Sequence, residues 1–318
     1  MNRNGFVYKI AKKCEKPSEK MPWSILHKLF MGFCIIYGKK VYSKIQKDTD
    51  GRTILYYYSI SMGDYFLFSL VVDDFWKHSK IDSYCLVVPD CIVKLCDSLK
   101  YDKVYPLSFP KFTAMNIYLN FSRSDKKAIN FFPWLFFKTK EYKVKPNVCL
   151  KIDEIIDIQE FKELGLEEKN TVVLAPYEKS LSIHGFPILP SSFWELLTKK
   201  LHDRGYKVCT NCDNSESQKP VKGTIPVLPK YGEIMNFCET CGYVVAIRSG
   251  FADMCTFSNC KKIILYPNQK AFSMWPIKES FGMNQNICEL IYDNYLETLD
   301  YSLIDCIVEE IENDKKDI

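Results

Sequence analysis

The sequence predicts an α/β protein built from two doubly wound parallel sheets in tandem. Three observations carry that expectation. Short β-rich runs alternate with helix-periodic segments, first over residues 52–105 and again over 150–268, and such an alternation is the pattern of a parallel sheet with helices on both faces. A chain of 318 residues fits two domains of about 150 residues, each with a sizeable core. A hydrophobic share of 47% beside 26% charged residues belongs to a globular chain rather than a disordered one.

Residues 1–50 read as a basic helical segment, closed by the turn signal Asp48-Thr-Asp-Gly51. Inside it, Trp23, Ile25, Leu26, Leu29, Phe30, Phe33, Ile36 and Tyr37 fall at helical spacings with lysines at both ends of Met21 to Lys47. That pattern suits a helix packed on the protein or one lying in a membrane interface. The chain has no uncharged run of 18 apolar residues, so no spanning helix is expected.

The first α/β domain is expected over residues 51–148. RTILYYYSI is strand-like, Ser61-Met-Gly-Asp64 is a tight turn, and YFLFSLVVDDFWKHS reads as helix. SYCLVVP, DCIVKLCDSL and DKVYPL follow as strand, short helix and strand. From Pro106 to Asn147 the chain is aromatic and lysine-rich without a clear period, and is expected to form the helical and irregular end of this domain. Its aromatics either fill a core or contact an acceptor sugar or a lipid surface.

The second domain is expected over residues 149–285. IDEIIDIQEFKELGL reads as helix and NTVVLAP as a buried strand. After the loop YEKSLSIHGFPILP comes the helix SSFWELLTKKLHDRG, with Ser192 as the expected cap and Gly205 as the stop. YKVCTN, GTIPVLP, KYGEIMNFCETC, GYVVAI and KKIILYP continue as strand, extended piece, helix, strand and strand. Residues 286–318, including CELIYDNYLETLDYSLIDCIVEEIEND, are expected to be a helical tail with an acidic end.

The net charge of +4 is mild, and the body of the chain has no Lys/Arg stripe interleaved with aromatics, so no nucleic-acid partner is expected. Fourteen cysteines, with no secretory signal ahead of them, predict reduced and mostly buried thiols in a cytoplasmic protein. Two CxxC pairs, Cys209/Cys212 and Cys238/Cys241, raise a zinc alternative. The Asp213–Phe237 gap exceeds the usual ribbon spacing of roughly 15 to 20 residues, which favours separate thiols.

The order of these pieces resembles the GT-B glycosyltransferases of the ADP-heptose:lipopolysaccharide heptosyltransferase type, glycosyltransferase family 9. ILYYYSISMGDYFLFSLVVDDF is similar to that family's first strand and Gly-Asp turn. VVLAPYEKSLSIHGFPILPSSFWELLTKKLHDRGYKVCTNC is similar to the opening of its second domain, and EIMNFCETCGYVVAIRSGFADMCTF to its later helix, strand, Asp-Ser-Gly turn and helix. Two departures stand out: Arg248-Ser249-Gly250 replaces Asp-Ser-Gly, and Asp253 stands where a histidine is usual. The Arg-Ser-Gly turn is also similar to that of GT-B fucosyltransferases, which use a GDP-sugar.

The resemblance implies two Rossmann-like domains facing a cleft and transfer of a sugar from a nucleotide diphosphate donor to a cell-surface glycan, such as lipopolysaccharide or capsule, or a lipid-linked precursor. It implies a bacterial, cytoplasmic enzyme, peripheral at the inner face of the membrane if residues 21–47 touch lipid. It places the general base on Asp64, for an inverting displacement. Read without the resemblance, Asp64 is a helix N-terminal residue favoured by the helix dipole. For the departing diphosphate, the amides of Ser249, Gly250, Phe251 and Ala252 at a helix start would form an anion site, joined by Arg248 and Asp253, unless Arg248 is simply the solvated charge at a strand end. Lys179, Ser180, Ser182 and His184 lie in a loop between Pro176 and Pro187 that could hold phosphate or simply be solvated. Tyr177 and Tyr266 either stack on a nucleobase or pack. No metal is required, because helix amides and basic side chains can neutralise the diphosphate. A sugar-nucleotide-binding protein without turnover, or a zinc-stabilised interaction module, remains the alternative to an enzyme.

Overall fold

The computed structural model describes residues 31–40, 43, 44, 47, 54–57, 63, 66, 83–89, 104–107, 129–130, 157–178, 185–274, 276–281, 286–292 and 301–316. The chain divides into two compact units, Met1–Val144 and Lys145–Ile318.

The first unit holds a helix, α1, over residues 31–40 and a four-stranded sheet. Its strands are β1 (Ile54–Tyr57), β2 (Ser83–Pro89), β3 (Val104–Leu107) and β4 (Ile129–Asn130), in the order β3-β2-β1-β4. All pairs are parallel; Ile54 lies opposite Ser83, Leu86 opposite Val104, and Leu55 opposite Ile129. β4 falls in the stretch where the sequence offered only helical and irregular structure. A two-residue strand beside lysines is too short to show any alternation, and it is defined by its parallel backbone pairing with β1.

The second unit is a six-stranded, all-parallel sheet. Its elements in chain order are α2 (Ile158–Glu163), β5 (Thr171–Ala175), α3 (Ser191–Asp203), β6 (Lys207–Asn211), β7 (Ile225–Val227) and α4 (Ile234–Cys241). β8 (Gly242–Ile247), α5 (Gly250–Cys255), β9 (Lys261–Tyr266), α6 (Gln269–Met274), α7 (Ile277–Phe281), β10 (Ile287–Ile291) and α8 (Tyr301–Lys316) follow. The order β10-β9-β8-β5-β6-β7 is the doubly wound arrangement, in which the chain starts in the middle, builds to one edge, then returns and builds to the other.

The sequence explains where each strand sits. TVVLA and GYVVAI are buried at every position, as a strand covered on both faces must be, and they form the central pair β5 and β8. Pro226, which lacks a donor, lies in the edge strand β7. α3 and α8 bury matching stripes, Phe193, Trp194, Leu197, Thr198 and Leu201 on one and Leu303, Ile304, Ile307, Val308 and Ile311 on the other. Both belong to the core that also contains Val172, Leu174, Val245 and Leu265. Ion pairs Lys200–Asp305 and Arg204–Glu312 link the flanks of these two helices, and Lys261–Glu310 at 2.7 Å ties α8 to β9.

Two expectations change here. Cys288 to Ile291, read as helix, forms strand β10, whose register sets Cys288 against Ile263 and Ile291 against Tyr266. The open edge of β9 supplies a hydrogen-bonding partner that outweighs local preference. Ser192 does not cap α3: Pro190 is the N-cap, without a side-chain bond, and Ser191 begins the helix. Gly205 does end it, at φ +83° with its N–H donating to the His202 carbonyl at 2.9 Å. Gly242 joins α4 to β8 at φ +98°, where an added Cβ would lie 3.0 Å from the Lys169 Cα, so close approach and backbone conformation both require glycine.

Candidate functional site

In a doubly wound sheet, ligands bind outside the carboxyl ends of the strands at the point where the strand order reverses. In the second unit that point lies between β5 and β8. Ala175 pairs with Ala246 at the ends of these two strands, so Pro176, Tyr177 and Glu178 leave the sheet beside Arg248 and Ser249. The two segments singled out in the sequence, the 176–187 loop and the Arg-Ser-Gly turn, therefore start from neighbouring strand ends.

The turn is tightly built. Arg248 N–H donates to the Leu265 carbonyl at 3.0 Å, extending the sheet by one bond past β8. Ser249 is the N-cap of α5, in extended conformation, and its Oγ accepts from the Ala252 N–H at 3.4 Å while its carbonyl accepts from the Asp253 N–H at 3.0 Å. The N–H groups of Gly250 and Phe251 take no partner among the described residues, and both residues are half-buried. They are the amides available to an anion at this strand end.

Arg248 and Asp253 form an ion pair, Nη2 to Oδ1, at 2.8 Å, with side chains only 12% and 8% exposed. The contact is electrostatic rather than an aligned hydrogen bond at Oδ1. Arg248 Nη1 also donates to the Ser249 carbonyl at 3.1 Å, so the guanidinium bridges the end of β8 and the first turn of α5. The sequence reading joined Arg248, Ser249, Gly250, Phe251 and Asp253 in one cluster, and the structure brings these five together. It also shows a feature that sequence reasoning missed: the positive charge is matched by Asp253 instead of standing alone. The spacing of five residues across a strand–helix turn was the signal that could have revealed it. Lys179, Ser180, Ser182 and His184 lie outside the described residues, as does Asp64 in the first unit, where Gly63 and Phe66 are helical and buried.

Both stems of the 176–187 loop are held by tyrosines. The Tyr177 hydroxyl donates to the Lys219 carbonyl, and the Tyr292 hydroxyl, just past β10, donates to the Pro187 carbonyl at 2.9 Å. Burial raises the phenol pKa of both, with Cys212 adding to it at Tyr177 and Glu178 at Tyr292, so each stays a neutral donor. Tyr266 is fully buried and cannot stack on a base. Its hydroxyl donates to Glu289 Oε1 at 2.6 Å, and the same carboxylate accepts the Ile277 N–H at 2.7 Å, closing the start of α7.

The cysteines behave as core. The nine described ones are free thiols, and Cys209, Cys212, Cys238 and Cys241 are all buried. Cys241 hydrogen-bonds to Cys209, so one thiol of each CxxC pair meets the other pair, while Cys238 hydrogen-bonds to Cys255 outside both; burial, reinforced by those neighbours, pushes the Cys238 and Cys241 thiols well up from their usual range. Among the described residues, no group of three or more cysteine, histidine or acidic side chains could hold a metal ion. Among them, too, no helix is long and apolar enough to cross a membrane.

No protein-family model matches the sequence, and no curated protein does. Solved structures do match. The E. coli ADP-heptose LPS heptosyltransferase II structure has a TM-score of 0.52 at 11% identity, over 83% of this chain and 99% of that one. The E. coli heptosyltransferase WaaC with ADP-2-deoxy-2-fluoro heptose gives 0.50 at 12% identity, over 82% and 99%. A glycosyl transferase of family 9 from Veillonella parvula gives 0.50 at 11% identity, over 82% and 96%. The chain therefore has the heptosyltransferase-like GT-B fold that its order of elements led us to expect.

Proposed function

We propose that the protein is a glycosyltransferase that moves a sugar from a nucleotide diphosphate donor to a hydroxyl of a cell-surface glycan or its lipid-linked precursor, working at the inner face of the membrane. The observation that carries this reading is the reversal of strand order between β5 and β8, with the Ser249-capped turn at its mouth. A fold shared with proteins that act on ADP-heptose makes an ADP-sugar the first donor to try.

In the proposed reaction the acceptor oxygen attacks the anomeric carbon, the bond from that carbon to the diphosphate breaks, and the configuration inverts. Asp64 takes the acceptor's proton. The leaving diphosphate gains charge as it departs, and the Gly250 and Phe251 amides meet it without reorganising. Arg248, fixed by Asp253, presents a guanidinium of set orientation, and from the adjoining loop Lys179 adds a cationic donor and His184, Ser180 and Ser182 polar donors. These groups fill the part a divalent cation would otherwise play.

Thermal denaturation of the purified protein with ADP, GDP, UDP and CDP tests the reading. A ligand at about one hundred times its dissociation constant stabilises the folded state by about 2.7 kcal/mol, which is a shift of several degrees. ADP is expected to give the largest shift; a GDP-selective shift transfers the proposal to a fucosyltransferase-like donor, and no shift with any of the four removes it.

A further inference from the structure

The charge of this chain is segregated. Residues 1–47 contain eleven lysines and arginines and two glutamates, a net +9, which leaves −5 for residues 48–318 against a total of +4. Between Glu19 and Asp48 there is no acidic residue. Within this stretch α1 presents a built surface. Cys34 and Gly38 are buried, so their side of the helix faces protein; half-buried Phe33 and Tyr37, their rings 5.4 Å apart, border it, with Lys40 Nζ 5.8 Å over the Tyr37 ring. Away from Cys34 and Gly38 the helix exposes Ile35 at 40% and Ile36 at 72%, followed by exposed Lys39, Lys40, Lys44 and Lys47.

Residues 43, 44 and 47 are also helical, so Ile36, Lys40, Lys44 and Lys47 recur at spacings of four, four and three along one face. Two adjacent exposed isoleucines place apolar surface in water, whereas a lipid headgroup layer accepts apolar side chains below the level where lysine ammonium groups meet phosphates. Lysines outnumber arginines ten to one in residues 1–47. Compact charges on flexible stems suit diffuse anionic lipid more than the bidentate or stacked contacts of a nucleic-acid site.

We propose that Ile35, Ile36, Lys39, Lys40, Lys44 and Lys47 form a docking face for the surface of an anionic lipid bilayer. Neither group suffices alone: two isoleucines bury little area, and lysines alone give a salt-sensitive encounter. Together they hold the first unit at a membrane, where a lipid-linked acceptor is found. The proposal is independent of the nucleotide reading, since nucleotide-induced stabilisation and vesicle binding are measured separately and either can fail without the other.

The test is flotation of the full chain with vesicles of phosphatidylcholine alone and of phosphatidylcholine mixed with phosphatidylglycerol. Binding is expected to the mixed vesicles only, and to be lost in about 1 M salt, where the screening length falls to about 3 Å. Lys39→Gln with Lys40→Gln should weaken partitioning roughly 25-fold, at about fivefold per lysine. Ile36→Ser should weaken it with the salt dependence unchanged. All positions are exposed, and an unaltered melting temperature verifies folding of each variant. Equal binding to neutral and mixed vesicles, wild-type partitioning of the lysine variant, tighter binding to duplex DNA than to mixed vesicles, or no binding at all would each overturn the proposal.

Discussion

The two sheets begin with the same wiring. Counting strands from the start of each unit, β3-β2-β1-β4 and β7-β6-β5-β8 are one order, with the reversal beside the first strand both times. They differ in what comes after the fourth strand. In the first unit β4 ends the described sheet after two residues, whereas in the second β9, β10 and α8 continue it, so β8 is interior and buried throughout. An interior strand end is shielded enough to hold a fixed ion pair and an oriented turn, and there Arg248, Asp253 and the α5 amides sit. On the proposed reading, the diphosphate belongs to the second unit and the first supplies one chemical group, the carboxylate of Asp64.

The variant that bears hardest on this division is Asp64→Asn. It removes proton acceptance with little change in volume, so kcat should fall by about 10²–10⁴-fold while the nucleotide-induced rise in melting temperature persists. Full activity would take Asp64 out of the reaction; loss of nucleotide stabilisation would put donor contacts in the first unit and undo the division.

Arg248→Ala comes next. It leaves the Asp253 carboxylate buried without its guanidinium partner, which should cost about 3–5 kcal/mol of stability in denaturant titration. A double variant, Arg248→Met with Asp253→Leu, removes both charges and should recover most of that loss. If the guanidinium also contacts the diphosphate, the double variant still binds nucleotide more weakly by about 1.5–3 kcal/mol in calorimetry. Wild-type affinity there makes the pair a clamp on the turn and nothing more.

What the sequence revealed divides along similar lines. Central strands such as TVVLA and GYVVAI are continuous apolar runs between turn signals, and β5, β8 and β9 stand where those runs predicted. Edge elements were illegible for a physical reason. β4 and β10 exist because a neighbour offers an open row of backbone groups, and ICELI contains too little β preference to announce itself without that neighbour. At the site, local grammar was enough to single out Arg248 through Phe251 and to place a serine at the start of a helix. That Arg248 is neutralised by Asp253 depends on how far two side chains reach after folding, and Tyr292 supports Pro187 across 105 residues, a relation no local pattern encodes.

That last contact yields the smallest expected effect and the finest test of the comparison. The Tyr292 hydroxyl is the described bond that fixes the C-terminal stem of the 176–187 loop to the far edge of the extended sheet. Tyr292→Phe keeps the buried ring and deletes one hydrogen bond, so global stability should fall by only about 0.5–1.5 kcal/mol. The more telling readout is local. Amide exchange in the loop should accelerate, because opening the stem no longer has to break that bond, while exchange in β5 and β8 stays unchanged. Nucleotide affinity should fall modestly if Lys179 and His184 reach the donor from this loop, since a looser loop pays more ordering entropy on binding. Faster exchange with unchanged affinity would confine the donor to the Arg-Ser-Gly turn, and unchanged exchange would show that the strands added after β8 do not govern the loop at all.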